Sequence, residues 1–557
     1  MLKVVGASWL QTRISTYILG AVALLGIGAI ILGEFGQYVY TSVENDGTYA
    51  ATVTWKQNGA YRIDFWGQGN DLEAIPTGAA RAYYRTGIHH TGWSVIEIKS
   101  SEDYPDTVQA YSTGLLEGSL TWQLIHHHWH NTIEAPCSTQ ESMCEKIRHH
   151  LKENREYHRK RAEVLAAKDP YWHMVSLFYT QLAGMEAGWK FAVRRSRKTV
   201  EIPSEDFLWL AMASDLPYLD DTVNKSKVNA DLAGMAFLKL FNKTNGEPQI
   251  TLAHNTAAPY GKMLRLLKRY DLGYHLSPSE NSQVVPGRSI VMTSYPGALS
   301  SQDEYFIIEN EGRELLVAGT PLAIGDHGIW SQPILKNQLM LAVRVMSANR
   351  LATDGLTWSR HLALYNGGTA SRQWLAVDPR LNSVWLVEQL PSITHAVDYS
   401  KDFVNVGFVS CTGAPMFKEI RQVAGVSRDA ASVRSNEIAR QLANITTASK
   451  IADLLHGHVP DAHAAFNNFS MTSGTDLVEI FAFRGDLYAQ PFPVGVIDAK
   501  IVTAGIDGIE NFQVYSGPNF SNKIPAFNWT RTFPNEPHYG HPETFNFGMT
   551  TPKWVWV

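Results

Sequence analysis

Ile250-Thr-Leu-Ala-His-Asn-Thr256 is an apolar run that closes on three hydrogen-bonding side chains. It reads as a strand with His254, Asn255 and Thr256 at its end. Other strands gather around it. Ala51-Thr-Val-Thr-Trp55 and Tyr61-Arg-Ile-Asp-Phe65 flank Asn58-Gly59, the pattern of a hairpin. Gly92-Trp-Ser-Val-Ile-Glu-Ile98 alternates as a strand does. A charged helix is expected from Glu141 to Lys168. Asp169-Pro170 then supplies an N-cap and a first-turn proline for a helix with Met174, Phe178, Leu182 and Met185 on one face. Further helices are expected near 259–270, 336–351 and 428–456, and strands near 288–294, 304–320, 373–378 and 383–389. Strands in runs with helices between them fit α+β layers better than a regular βαβ alternation. No Pro/Gly/Ser-rich hinge divides residues 50–557, which read as one large domain.

The composition narrows the function. The chain has 557 residues, with 48 Lys and Arg against 53 Asp and Glu. A net charge of −5 argues against a nucleic-acid binder, which needs a clustered basic surface. With 45% apolar and 18% charged residues, global disorder is excluded. Three cysteines are too few for a disulfide scaffold.

Ile14 to Gly33 carry no charge, and Lys3 and Arg13 precede them. At 1.5 Å per residue they span about 30 Å, the thickness of a hydrocarbon core. The expectation is a cytosolic tail at 1–13, a signal anchor at 14–33, a linker at 34–49 and the bulk in a lumen, as in a type II single-pass protein. A cleaved signal peptide and a secreted protein is the rival reading. Asn224, Asn242, Asn444, Asn468, Asn519 and Asn528 all stand in N-x-S/T sequons. Cys137 and Cys144, seven apart, are placed to close a small loop in an oxidising lumen, and Cys411 reads as a small buried residue.

Motif chemistry is sparse. His126 and His130 have the i, i+4 spacing of metal ligands, but no HExxH or carboxylate partner accompanies them, so neither a metal nor a cofactor is expected. His149, His150 and His158 read as solvated on the charged helix, and Asp220-Asp221 as surface charge. No GxSxG elbow, P-loop or dinucleotide fingerprint occurs.

A set of motifs supplies more. Gln109-Ala-Tyr-Ser-Thr-Gly-Leu-Leu-Glu-Gly118, Trp129-His-Asn-Thr132, Asp169-Pro-Tyr-Trp-His173, Gln181-Leu-Ala-Gly-Met-Glu186, Ala253-His-Asn-Thr256, Ser294-Tyr-Pro-Gly297 and Ala348-Asn-Arg-Leu-Ala352 come in order. Gln373-Trp374, Glu388-Gln-Leu-Pro391, Ile497-Asp-Ala-Lys500, Pro525-Ala-Phe-Asn-Trp529 and Gly540-His-Pro542 follow. Together they resemble the phospholipase B-like family over roughly 50–557. The resemblance implies an N-terminal nucleophile hydrolase fold, an αββα sandwich. It also implies a precursor that cuts itself before a cysteine, whose thiol and freed α-amine then attack an ester or amide carbonyl. Members are lysosomal or secreted glycoproteins, and the implied ligand is a lipid or acylated small molecule.

The chain departs from that pattern at the decisive position. The family segment Gly-His-Cys-Ser-Ala-Leu-Ile-Lys reads here Leu232-Ala-Gly-Met-Ala-Phe-Leu-Lys239, which puts Gly234 where the cysteine belongs. Glycine has no side chain to attack with. The tryptophan expected after His-Asn-Thr is Ala257, and an Asn-Asn pair of the family appears as Ser371-Arg372. His254, Asn255 and Thr256 are carried over as site positions. The expectation is a non-cleaving, catalytically impaired member that binds a lipid or a partner. The alternative is an active acyl hydrolase with a displaced nucleophile, Ser226 or another hydroxyl.

Overall fold

Strands β1 (Thr48–Trp55) and β2 (Tyr61–Trp66) pair antiparallel with Trp55 opposite Tyr61, so the turn falls at Asn58-Gly59 and Gly59 takes φ +82°. The computed structural model describes residues 47–557 apart from 57, 217–233, 244–245, 280, 311, 326–337, 368, 392, 456–480, 489 and 522–523. The expected membrane helix at 14–33, Asp220-Asp221, Ser226, Asn224 and Asn468 all lie outside the described residues. Among the described residues no helix is long and apolar enough to cross a membrane.

The chain continues through β3 (Ala80–Arg85), β4 (Trp93–Ser100), β5 (Met235–Asn242), β6 (Pro248–Pro259), β7 (Arg265–Asp271), β8 (Ser289–Ser294), β9 (Tyr305–Asn310) and β10 (Arg313–Pro321). Then come β11 (Arg372–Asp378), β12 (Ser383–Leu390), β13 (Ile393–Asp398), β14 (Phe408–Cys411), β15 (Val494–Gly505) and β16 (Gly508–Ser516). Among the described residues, eleven strands form one sheet in the order β13-β12-β11-β10-β9-β8-β7-β4-β3-β1-β2, in which only the β4–β7 pair is parallel. Five form a second sheet in the order β14-β5-β6-β15-β16.

Residue alternation along the strands sorts the apolar side chains into separate cores. Ile96, Ile98, Leu266 and Tyr270 face the helices on one side of the large sheet. Trp93, Leu267 and Tyr305 of the large sheet meet Leu238, Ile250, Leu252 and Val502 of the small one. Phe237, Ala253 and Ile501, on the far face of the small sheet, pack against Ile438, Leu442 and Ile451. The layers therefore run helix, sheet, sheet, helix, a mixed α+β architecture.

The helical layer over the large sheet is built from α1 (Asp106–Leu120), α2 (Trp122–Trp129), α3 (Glu141–Leu165) and α4 (Pro170–Ser196). Asp169 caps α4 by accepting from Tyr171 N at 2.9 Å. Helices α1 and α4 touch backbone to backbone. A Cβ at Gly114 would stand 1.9 Å from Gln181 O, and one at Gly118 2.0 Å from Met185 O; Gly184 and Gly188 answer from the other side. The glycines of the motifs at 109–118 and 181–186 are thus explained by close helix packing, while Gln109 and Glu117 are held by Gly273 O and Lys268 Nζ.

The structure corrects several expectations. Residues 259–270 are not a helix: Pro259 ends β6, Tyr260–Lys262 make one 3-10 turn, and β7 begins at Arg265. The expected 428–456 helix is two, α5 (Arg428–Asn444) and α6 (Ala448–Leu455). His158 is not solvated; it is buried, bonded to Gln338 O at 3.0 Å, and burial pushes its imidazole down to about 4. His254, Asn255 and Thr256 lie inside β6, which runs on to Pro259.

Glu388 on β12 anchors the loop after β14. It accepts from Met416 N at 2.6 Å, Phe417 N at 3.2 Å and Gln373 Nε2 at 2.7 Å. Burial raises its carboxyl from 4.5 to about 7, against the pull of those donors. The folded state then holds a proton that the unfolded chain releases near pH 4.5. Its stabilising contribution is complete below that pH and is lost as pH rises through 7. The loss amounts to roughly 3 kcal/mol. Melting curves of wild type and Glu388→Gln between pH 4 and 8 will show this slope in the first and not in the second; parallel profiles would refute the assignment.

Candidate functional site

Gly234 stands directly before β5, and β5 pairs with β6 so that Met235 faces Asn255 and Ala236 faces His254. Strand alternation then decides where each polar group of β6 points. Asn255 lies on the outer face. Its Oδ1 accepts from Met235 N at 2.8 Å and its Nδ2 donates to Phe481 O at 2.6 Å. It ties the head of β5 in place, with one donor and one acceptor of its amide engaged by the backbone. His254 and Thr256 lie on the inner face, between the sheets, where Ile250 and Leu252 also point.

There they meet Asp498 and Lys500 of β15, which share that face. Lys500 Nζ donates to Asp498 Oδ1 at 2.6 Å, Thr256 Oγ1 at 2.5 Å and His254 Nδ1 at 3.1 Å, so its three N–H groups are all engaged. His254 Nε2 lies 2.8 Å from Gly319 O. A carbonyl only accepts, so Nε2 carries the proton and Nδ1 is the lone pair facing Lys500. Burial, reinforced by Lys500, holds this imidazole neutral, well below its ordinary value.

A second cation completes the cluster. Arg265, at the start of β7, bridges Asp303 and Asp498, with Asp498 Oδ2 at 2.5 Å, and lies 4.1 Å over the Tyr295 ring. Tyr295 Oη donates to Asp303 Oδ1 at 2.6 Å, so the turn after β8 is tied to the same carboxylate. Burial alone would raise the Asp303 carboxyl, but Arg265 and Lys500 outweigh it and keep the group strongly ionised. Arg265, Asp303, Asp498 and Lys500 are all fully buried.

Gly234 itself has no room. Thr320 Oγ1 donates to its carbonyl at 2.7 Å. A Cβ there would lie 2.2 Å from Asn255 O and 3.2 Å from Ala257 N. Ser371 and Arg372 are buried at the head of β11. Arg372 Nε donates to Glu304 Oε1 at 2.8 Å, and Ser371 Oγ is a buried hydroxyl with no hydrogen-bond partner among the described residues. Glu304 adopts φ +56°, a strained backbone for a non-glycine residue, braced by Gly319 N donating to its carbonyl at 2.8 Å.

The remaining candidates fall elsewhere. Cys137 and Cys144 form a disulfide, and Cys411 is buried. Asn242 and Asn444 are exposed. Asn519 is only 3% exposed, so this sequon is buried, against the expectation of a glycan there. Asn528 caps a short helix and donates to Thr544 Oγ1 at 2.8 Å. The histidine run diverges: His130 packs on Tyr539, and His128 stacks on Tyr295. Among the described residues no group of three His, Cys, Asp or Glu is arranged to hold a metal. Arg265, Asp303 and Asp498 were not foreseen as site residues. The one available signal was Asp498 and Lys500 alternating on one face of an otherwise apolar strand.

Comparison with known proteins finds relatives along the whole chain. The sequence model of the family described as Phospholipase B matches residues 80–552. The chain is 31% identical to the phospholipase B-like lamina ancestor of Drosophila melanogaster, in an alignment covering all of both chains. It is 26% identical to phospholipase B-like 2 of Homo sapiens over 86% of each. It is 25% identical to phospholipase B-like protein A of Dictyostelium discoideum over 85% of this chain and 88% of that one.

Proposed function

The chain belongs to the phospholipase B family, and from that membership we propose that it keeps the family's site as a binding place and has lost the reaction. One observation carries the reading: position 234 has neither a side chain nor the space for one. Without a hydroxyl or thiol there, no acyl shift cleaves the precursor and no covalent acyl intermediate forms. The surrounding groups bind rather than react. Lys500 has no donor left for an oxyanion, and Asn255 points to the outer face, where it holds the backbone of Met235 and Phe481. The helix–sheet–sheet–helix order, with Gly234 directly before an inner strand, supports an N-terminal nucleophile hydrolase scaffold. The ligand class we propose is a lipid or an acylated small molecule. We further propose a membrane-anchored or secreted protein of the endolysosomal route, supported by the uncharged run 14–33 and the Cys137–Cys144 disulfide.

Denaturing, reducing mass measurement after glycan removal tests the reading, together with release of fatty acid from a phospholipid substrate. One uncut chain through residues 200–260 and no acyl release are the expected results. Two fragments with a new N-terminal Ser or Thr between about 220 and 240, in a preparation that releases fatty acid, would overturn it in favour of a displaced nucleophile.

A further inference from the structure

Helix α4 runs out into Arg194-Arg195-Ser196-Arg197-Lys198. Nowhere else in the chain do four Lys or Arg residues fall within five positions, and the chain as a whole carries −5, so the feature is local. All four cations are exposed. The end of a helix asks for far less, since its dipole amounts to about half a negative charge, which one cation offsets. Arg197 takes φ +57° as the left-handed cap and brings its N–H back to Arg194 O at 3.2 Å, which folds it onto the last turn.

These charges are not neutralised within the protein. None of the four side chains makes a hydrogen bond or an ion pair with a described residue. Other exposed arginines are paired, Arg62 with Asp64 at 2.7 Å and Arg440 with Glu437 at 2.6 Å. Glu186, the carboxylate further up α4, is held by Lys190 Nζ at 2.6 Å and Ser204 Oγ at 2.5 Å. Glu201, three residues beyond Lys198, is exposed and pairs with none of the four. One of the cations is also preset. Arg195 lies 4.2 Å over the Phe65 ring, and Phe65 stacks on Phe191 with the two planes 1° apart. Phe65 belongs to β2, the edge of the large sheet, and packs on the helical side of that sheet. The sheet itself therefore separates this patch from the buried charge cluster on its inner face.

Three guanidiniums and an ammonium, exposed and unpaired, call for a ligand that presents several oxyanions in a row. We propose that the end of α4 binds a sulfated polysaccharide, with the arginines taking sulfates through paired N–H donors and Lys198 adding a point charge. A nucleic-acid strand offers a similar row of charges, but its bases look for open ring faces. Here the Phe65 ring already carries Arg195 and Phe191. The endolysosomal or secreted location proposed above also brings the patch among glycans.

Titration calorimetry on the purified full chain tests this with three probes: a heparin octasaccharide, a hyaluronan octasaccharide, which carries carboxylates and no sulfate, and a single-stranded DNA twelve-mer. Wild type is expected to bind the heparin fragment. A linear polyanion releases roughly 0.7–0.9 counterion per neutralised charge, so four contacts predict about a fifty- to hundredfold loss of affinity between 50 and 200 mM salt. The quadruple variant Arg194→Gln, Arg195→Gln, Arg197→Gln and Lys198→Gln is expected to bind at least tenfold more weakly at 50 mM salt while melting with wild type. If it melts early, Arg194→Gln with Lys198→Gln decides, because it leaves the Arg195–Phe65 contact and the Arg197 cap in place. That variant is expected to halve the salt dependence, and an unchanged salt dependence overturns the proposal. So does equal heparin binding by wild type and a folded quadruple variant, or no binding by wild type. Hyaluronan bound as tightly as heparin overturns the preference for sulfate, and DNA bound more tightly than heparin overturns the polysaccharide in favour of a nucleic acid.

Discussion

Installing cysteine at position 234 will not revive the family's chemistry. The Cβ of any residue there meets the carbonyl oxygen of Asn255 at 2.2 Å. That oxygen belongs to the middle of β6, which is paired with β5 on one side and β15 on the other. A flexible side chain would yield, whereas a strand clamped between two neighbours does not. Gly234→Ala and Gly234→Cys are therefore both expected to lose about 3 kcal/mol or more, the upper end for overpacking a well-filled interior. Denaturant unfolding measures the loss. Mass measurement of Gly234→Cys is expected to find one uncut chain. A cysteine variant that melts with wild type and appears as two fragments would show that position 234 tolerates a nucleophile.

The second large effect concerns Asp303. Its carboxylate takes Arg265 and the hydroxyl of Tyr295 at once, with Lys500 3.6 Å away, in a fully buried setting. Asp303→Asn keeps the shape and removes the charge. It leaves Arg265 and Lys500 to share Asp498 alone, and removing one member of a buried ionic group costs about 3–5 kcal/mol. The double variant Asp303→Leu with Arg265→Met removes the cation together with its partner and leaves Asp498 to Lys500. It is expected to be more stable than Asp303→Asn. Equal stability of Asp303→Asn and wild type in urea would mean that water reaches this cluster and screens it.

Much of the frame was legible because local chemistry wrote it. Asn58-Gly59 between alternating strands made the first hairpin, and Asp169-Pro170 made the start of α4. Residues 259–270 misled because β7 is buried along its whole length. A strand covered on both faces does not alternate, and its apolar residues fall on helical spacing as readily as on any other. Lys268 and Arg269 are charged residues on this buried strand. Each has a carboxylate from elsewhere in the chain, Glu117 for Lys268, Glu97 and Glu309 for Arg269. The charge cluster was illegible for a similar reason. Arg265, Asp303 and Asp498 come from separate parts of the chain, and each looks ordinary among its own neighbours. His254 and Thr256 were visible as polar residues in an apolar strand. That Asn255 between them points the other way follows from alternation, once the segment is known to be the interior of a strand.

Glu97 has one more role. Its carboxylate accepts from Val555 N at 2.7 Å and Trp556 N at 3.1 Å, while the Trp556 indole donates to Leu72 O at 3.0 Å and lies under Arg81 at 4.2 Å. The edge of the large sheet laid down by the earliest strands is thus buttoned by residues synthesised after every strand described here. A chain emerging from a ribosome must hold Glu97 in waiting for more than four hundred residues. In any order of folding, the seal over this edge closes only once Val555 and Trp556 have been made, long after the strands it covers.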